Sequence, residues 1–181
     1  MFLQDIEPGI IVKELSPEEL TQILESHFDK AFENRADAAV TPEISEEAKA
    51  QIKQRRIQDS RYRLRLGIFV DGEIAGWHYG YSTDAETYYM QNSAVLKEFR
   101  GKKLYSKLLT ATLEVLKQQG FQVVTSIHHP NNPAVLIPKL KQGFVISGTL
   151  LHERFRFLVE LKYFYNSDRR QAFNRNIGLD I

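Results

Sequence analysis

The chain of 181 residues contains no cysteine. Disulfides, thiolate metal ligands and a cysteine nucleophile are therefore excluded, and the fold has to stand on its core alone. Charge of one sign is lacking as well: 24 basic and 23 acidic residues leave a formal charge of +1. That balance gives no support to a general nucleic-acid or membrane-surface role, so any basic site must be local. No segment is long and apolar enough to span a bilayer. The start, MFLQDIEPGIIV, places acidic residues and a proline where a signal peptide needs a basic end and an unbroken apolar run. A cytoplasmic protein is expected. Repeats, linkers and low-complexity stretches are absent too, while 43% hydrophobic and 26% charged residues match a globular domain with enough chain to bury a core.

Ile10 to Leu15 reads as a short strand. In the SPEE that follows, Ser16 is an N-cap, Pro17 takes the first helical position and Glu19 closes a capping box, so a helix is expected to about Asn34. Thr41-Pro42 and SEEAKAQIKQRRI announce a second helix that stops before Asp59, acidic at its start and basic at its end. The period then changes to two. Tyr62, Leu64, Leu66 and Ile68 alternate with Arg61, Arg63 and Arg65, and Asp71-Gly72 turns this strand into a second, EIAGWHYGYS. ETYYMQNSAVL makes a third. Leu104, Leu108, Leu109, Leu113 and Leu116 line one face of an amphipathic helix closed by Gly120. After it come the strand FQVVTSIH, a short helix interrupted by Pro138 and ending at Gly143, and two strands turning near Leu151 to Glu153. The order is β, α, α, β, β, β, α, β, α, β, β, an α+β arrangement with one strand-helix-strand crossover. Residues 1–165 are assigned to one domain and 166–181 to a polar tail, docked or frayed.

The stretch EFRGKKLYSKLL crowds Arg100, Lys102 and Lys103 around Gly101 immediately before the leucine pattern. A helix start offers unpaired N–H groups and partial positive charge, so an anion placed there is bound before any side chain contributes. Three basic residues add to that field. A solvated basic corner is the plainer account, and the stretch taken alone does not separate the two.

Longer context separates them. VLKEFRGKKLYSKLL resembles the central signature of the GCN5-related N-acetyltransferase (GNAT) superfamily, with Val95, Arg100, Gly101, Lys102, Leu108 and Leu109 matching and with Lys103 and Tyr105 in place of two signature glycines. Downstream, Ile127, Asn131 or Asn132, Ala134 and Gly143-Phe144 match a second family pattern. The resemblance implies a mixed, mainly antiparallel sheet of about seven strands flanked by about four helices. It also implies acetyl-CoA as co-substrate, held by Val95, Arg100, Gly101, Lys102, Lys103, Leu104, Tyr105 and Ser106, with Asn131 or Asn132 near the pantetheine arm. Helical geometry with outward side chains is expected at both Lys103 and Tyr105, which would leave the coenzyme loop intact. The tyrosine that often serves as acid in the family would fall at Pro138 or Lys139, neither of them tyrosine; Lys139 could in principle serve in its place, and an exposed helix lysine is the expectation there.

The implied reaction is acetyl transfer to a primary amine of a small molecule or peptide, by direct attack in a ternary complex. It needs a base near the amine, a donor for the developing oxyanion and an acid for the leaving thiolate. Glu86 and His128 are the catalytic candidates, each with a plain alternative as a solvated strand end or a turn cap. A non-catalytic sensor or scaffold of the same shape that binds acyl-CoA is the second reading. Tyr88 and Tyr89 should face opposite sides of their strand, and Trp77, Tyr79 and Tyr81 should share one face, with packing as the default role for each. The arginine stripe is read as a solvated strand face. His27, His78 and His152 are too scattered to suggest a metal site, so none is expected. No membrane partner is expected and nucleic acid has little support; similar proteins are commonly dimers, which leaves a homodimer open.

Overall fold

The computed structural model describes residues 2–32, 43–153 and 155–178. Strands β1 (Leu3–Glu7) and β2 (Ile10–Glu14) form an antiparallel edge pair, turned through Gly9 at a φ of 78°. Helix α1 (Pro17–Ala31) begins at the capping box: Ser16 Oγ accepts from the Glu19 N–H, and the Glu19 carboxylate accepts from the Ser16 N–H. It ends at Ala31; Asn34, the expected end, lies outside the described residues, as do Thr41 and Pro42. Ser45 caps α2 (Glu46–Gln58). Strands β3 (Arg63–Val70), β4 (Glu73–Ser82) and β5 (Thr87–Val95) then form a meander. Its first turn holds Asp71 and Gly72 at φ of 50° and 86°, the pair of left-handed positions a tight hairpin needs.

A single 3-10 turn (Lys97–Phe99) leads into α3 (Leu104–Gln118), followed by β6 (Val123–His128), α4 (Pro133–Gln142), β7 (Val145–His152), β8 (Arg156–Phe164) and α5 (Ser167–Asn176). The eight strands among the described residues join one sheet in the order β1-β2-β3-β4-β5-β6-β8-β7, antiparallel throughout except for β5 beside β6. The architecture is α+β. It exceeds the sequence expectation by β1 and α5. Strand β1 escapes pattern reading because LQDIE offers only two apolar positions, and Leu3 is 64% exposed; backbone pairing to β2 holds it. Helix α5 escapes because it buries none of its residues. Asn166 caps it, and Phe173 rests against Phe164 at 5.2 Å between ring centres.

Leucines 104, 108, 109 and 116 of α3 are almost fully buried against Leu64, Leu66 and Ile68 of β3, Tyr88 of β5 and Val124 of β6. Truncating any one of these leucines to alanine is expected to cost about 2–5 kcal/mol. The opposite face belongs to α1, where Leu20 packs into a second cluster with Trp77 and Ala94. The indole N–H of Trp77 donates to Asn92 Oδ1 at 2.8 Å, so this core residue leaves no polar atom stranded. Helix α4 runs on through Pro138. The donor that proline removes would have met the carbonyl of Ala134, an exposed residue in the first turn that water can serve.

Candidate active site between β5 and β6

Strands β5 and β6 pair over only three positions, Thr87 with Val123, Tyr88 with Val124 and Tyr89 with Thr125. An irregularity in β5 then drives them apart. Gly80 opposes Met90 and Tyr79 opposes Asn92, so Gln91 is an extra residue against β4, a β-bulge that bends its strand. From Met90 and Ser126 onward the neighbouring strands are unpaired. Because β5 and β6 are parallel, the loops after both strands lie at this open end, the usual place for a ligand beside parallel strands.

The first of those loops has the backbone of an anion cradle. Gly101 has a φ of 81° and Lys103, at the N-cap of α3, a φ of 57°. Expected helical geometry at Lys103 is therefore replaced by a left-handed one, adopted by a lysine at a cost of about 1–2 kcal/mol. Tyr105 is helical, but its side chain packs against the main core instead of pointing outward, and burial raises its phenol pKa. Side chains of Ser16, Ser45 and Asn166 cap α1, α2 and α5, whereas α3 and α4, the two helices that start at the open end, have no side-chain cap and no acidic residue in the first turn. The first N–H groups of α3 remain available to an anion.

The basic residues divide their tasks. Arg100 donates to the carbonyls of Val95 and Ala31 at 3.2 and 3.3 Å, bracing the end of β5 against the last turn of α1. Lys102 lies over the Phe99 ring at 5.5 Å, and Lys103 is exposed. A cleft of about 360 Å³ opens between β1 and the first turns of α3, lined by Lys103, Ser106 and Lys107 on one side and Gln4 and Asp5 on the other. Leu104 is buried and Val95 packs on the core, so both would offer backbone and shape to a ligand, not polar side chains. Asn132 caps α4 through its backbone, and Asn131 N–H donates to His129 Nδ1, which places both asparagines in the second loop at the open end.

A buried polar cluster closes the fork of the strands. Lys139 is 1% exposed, contrary to the expectation of an exposed helix lysine. Its Nζ donates to Ser126 Oγ at 2.7 Å and to Met90 Sδ at 3.2 Å, and lies over the Phe144 ring at 4.7 Å. Ser126 Oγ also lies 3.0 Å from Nε2 of His128. Among the described residues no carboxylate pairs with the ammonium. Burial alone brings the Lys139 pKa down to about 7. Burial and then the nearby Lys139 push His128 to about 3, and the same two causes push His78 to about 3. Sequence reading set Lys139 aside as an exposed helix lysine; its place on the inward side of α4, three residues after Leu136 and five before Phe144, was the signal that it is buried.

Glu86 lies elsewhere. It precedes β5 and sits four residues, about 13 Å, upstream of Met90. Arg169 grips its carboxylate with two hydrogen bonds of 2.8 and 3.0 Å, which lower its pKa. The structure thus gathers His128 and the loop residues at one opening and leaves Glu86 outside it. Tyr88 is fully buried, its hydroxyl 3.1 Å from His78 Nε2, while Tyr89 faces the other side, edge-on to Tyr81 at 5.6 Å. Arg61 stacks over Tyr81 at 4.2 Å, and Asp59 takes both Arg61 and Arg63, so the arginine stripe is partly neutralised where it approaches the aromatic pair. Among the described residues there is no cluster of three metal-ligating side chains, and no helix is long and apolar enough to cross a membrane.

The sheet thus forks beside a basic helix start that is left-handed at its N-cap and lacks a side-chain cap. A sequence model of the acetyltransferase (GNAT) family matches residues 20–144, and the chain belongs to that family. No curated protein sequence matches it. Among solved structures, yncA of Salmonella typhimurium, determined with its cofactor acetyl-CoA, is similar over 88% of this chain and 95% of its own, at a TM-score of 0.63 and 14% identity. Ard1 from Thermoplasma volcanium is similar over 88% and 99%, at a TM-score of 0.62 and 19% identity. The ribosomal-protein-alanine N-acetyltransferase of Brucella melitensis is similar over 84% and 98%, at 0.62 and 18%. At these identities the likeness concerns the fold.

Proposed function

We propose that the protein is an N-acetyltransferase that moves an acetyl group from acetyl-CoA to a primary amine of a small molecule or peptide, by direct attack in a ternary complex. The observation that carries this reading is the loop Arg100 to Lys103, left-handed at Gly101 and Lys103 and followed by an uncapped helix. That is the cradle a pyrophosphate needs, formed here with a lysine where the family signature has glycine. The N–H groups of Leu104, Tyr105 and Ser106 would take the phosphates, with Lys102 and Lys103 supplying charge and Arg100 fixing the loop to β5 and α1. Acetyl-CoA supplies the activated acetyl group. The unpaired edges of β5 beyond Met90 and of β6 beyond Ser126 would receive the pantetheine arm, with Asn131 or Asn132 beside it, and a free β5 N–H would polarise the carbonyl.

The amine would approach from the α1 side of the sheet, where Tyr89, Tyr81 and Arg61 form a partly exposed wall. His128 is the sequence-named candidate that stands at the opening, and its depressed pKa keeps it neutral and able to pass protons. Titration with acetyl-CoA by calorimetry, together with thiol release across a panel of primary amines, tests the reading. Tight binding with release on at least one amine is expected. Binding with no release on any amine would assign the protein to the sensor class instead, and no binding would remove the basis for both. With no cysteine in the chain, the thiol assay has no protein background.

A further inference from the structure

Lys139 is an expensive residue for its position. An ammonium deprived of water needs partners for three hydrogens and an opposing charge. This one has a serine hydroxyl, a thioether and an aromatic face, and the third hydrogen has no hydrogen-bond acceptor among the described residues. A methionine or leucine there would pack at least as well. Nor does the lysine hold a neighbour in place that would otherwise be stranded, because Ser126 Oγ also has His128 Nε2 as a partner. The amine stands at the point where β5 and β6 cease to pair, since Met90 and Ser126 are each the first residue beyond the three paired positions. A chain of hydrogen bonds runs from it through Ser126 to His128, which is partly exposed. The remaining titratable group whose ionisation Lys139 opposes is His78 on β4, itself bonded to Ser93 and Tyr88.

We propose, resting on the acetyltransferase reading, that Lys139 is the proton donor to the thiolate leaving from acetyl-CoA, recharged from solvent through Ser126 and His128. The bonds balance as follows. The amine nitrogen bonds to the acetyl carbon, the carbon–sulfur bond breaks and its electron pair leaves on sulfur. Lys139 gives that sulfur one proton and becomes a neutral amine. Ser126 Oγ–H then passes its proton to Nζ, His128 Nε2–H passes one to Ser126, and solvent restores the imidazole; the proton lost by the acceptor amine returns to solvent. All three carriers are at hydrogen-bond distance in the order the transfer requires.

The test compares wild type with Lys139→Met, Lys139→Arg and Ser126→Ala, using acetyl-CoA and free CoA as probes. Calorimetry first establishes acetyl-CoA binding to the wild type; if that fails, the coenzyme reading falls and the donor role falls with it. Where it binds, Lys139→Met should keep acetyl-CoA affinity within about threefold. The same variant should lose the thiolate absorbance that bound CoA shows in a difference spectrum, because the ammonium facing the sulfur is gone. Thiol release on amines should drop at least about thirtyfold in Lys139→Met and about tenfold in Ser126→Ala. Lys139→Arg separates a donor from a structural cation: arginine keeps charge but does not give up its proton, so release should stay low. Wild-type release in Lys139→Met, or recovery by Lys139→Arg, would overturn the assignment, as would an unchanged thiolate signal in Lys139→Met.

Discussion

Two lysines hold conformations or environments that lysine ordinarily avoids, and each gives a measurable consequence. Lys103 has a φ of 57°, so Lys103→Gly should leave stability unchanged or raise it by about 1 kcal/mol, whereas β-branched Lys103→Val should lower it by about 1–2 kcal/mol. Urea denaturation distinguishes these outcomes. In the same Lys103→Gly variant, acetyl-CoA affinity should fall several-fold and lose part of its salt dependence, since the backbone is kept and one charge removed. Lys139 acts through pH. Its folded pKa is about 7 against an ordinary value of 10.5, so between those limits the unfolded chain holds a proton that the folded chain has released. Stability therefore gains with rising pH across that window, and below about pH 7 the full penalty of a buried cation is present. Lys139→Met should remove this slope and raise stability most at or below neutral pH, by an amount on the order of a few kcal/mol, seen as a higher melting temperature there. A melting series that shows the same slope in both proteins would contradict the burial of a titrating amine.

Elements were legible in the sequence to the extent that their residues speak locally. The capping box at Ser16, the Asp71-Gly72 turn and the leucine stripe of α3 each declare a backbone conformation through a chemical requirement, and each is found where it was read. Strand β1 rests instead on backbone pairing with β2, which its two apolar side chains do not announce, and helix α5 on partners distant in the chain, Glu86 and the Gly143 carbonyl. The site divides the same way. The basic loop could be located from spacing, but its left-handed lysine could not, and Lys139 became meaningful only when α4 was laid over β5 and β6. Glu86 was read as lying near the start of the motif strand and is found there, but which end of that strand opens depends on where β5 and β6 part, which sequence does not show. At this scale Glu86→Gln should leave turnover within about twofold and stability nearly unchanged, because its pair with Arg169 is exposed and screened by solvent. Steady-state kinetics beside thermal denaturation check both halves of that statement.

On the scale of the whole molecule, α3 and α4 cover one face of the sheet and α1 the other, and Arg100, which braces the basic loop, reaches Ala31 at the end of α1. Occupation of the loop is thereby tied to global stability. Acetyl-CoA at a hundredfold excess over its dissociation constant should stabilise the fold by about 2.7 kcal/mol, a shift that Arg100→Ala should reduce by weakening binding. The three paired positions between β5 and β6 give this molecule a seam. Five strands lie to one side, three to the other, and the continuity of the sheet across its middle rests on a ladder shorter than any other within it. Amide hydrogen exchange should be fastest along the unpaired margins of that seam and should slow on both sides of it when an acyl chain lies between them, because the ligand would then be the missing rung of the protein's own ladder.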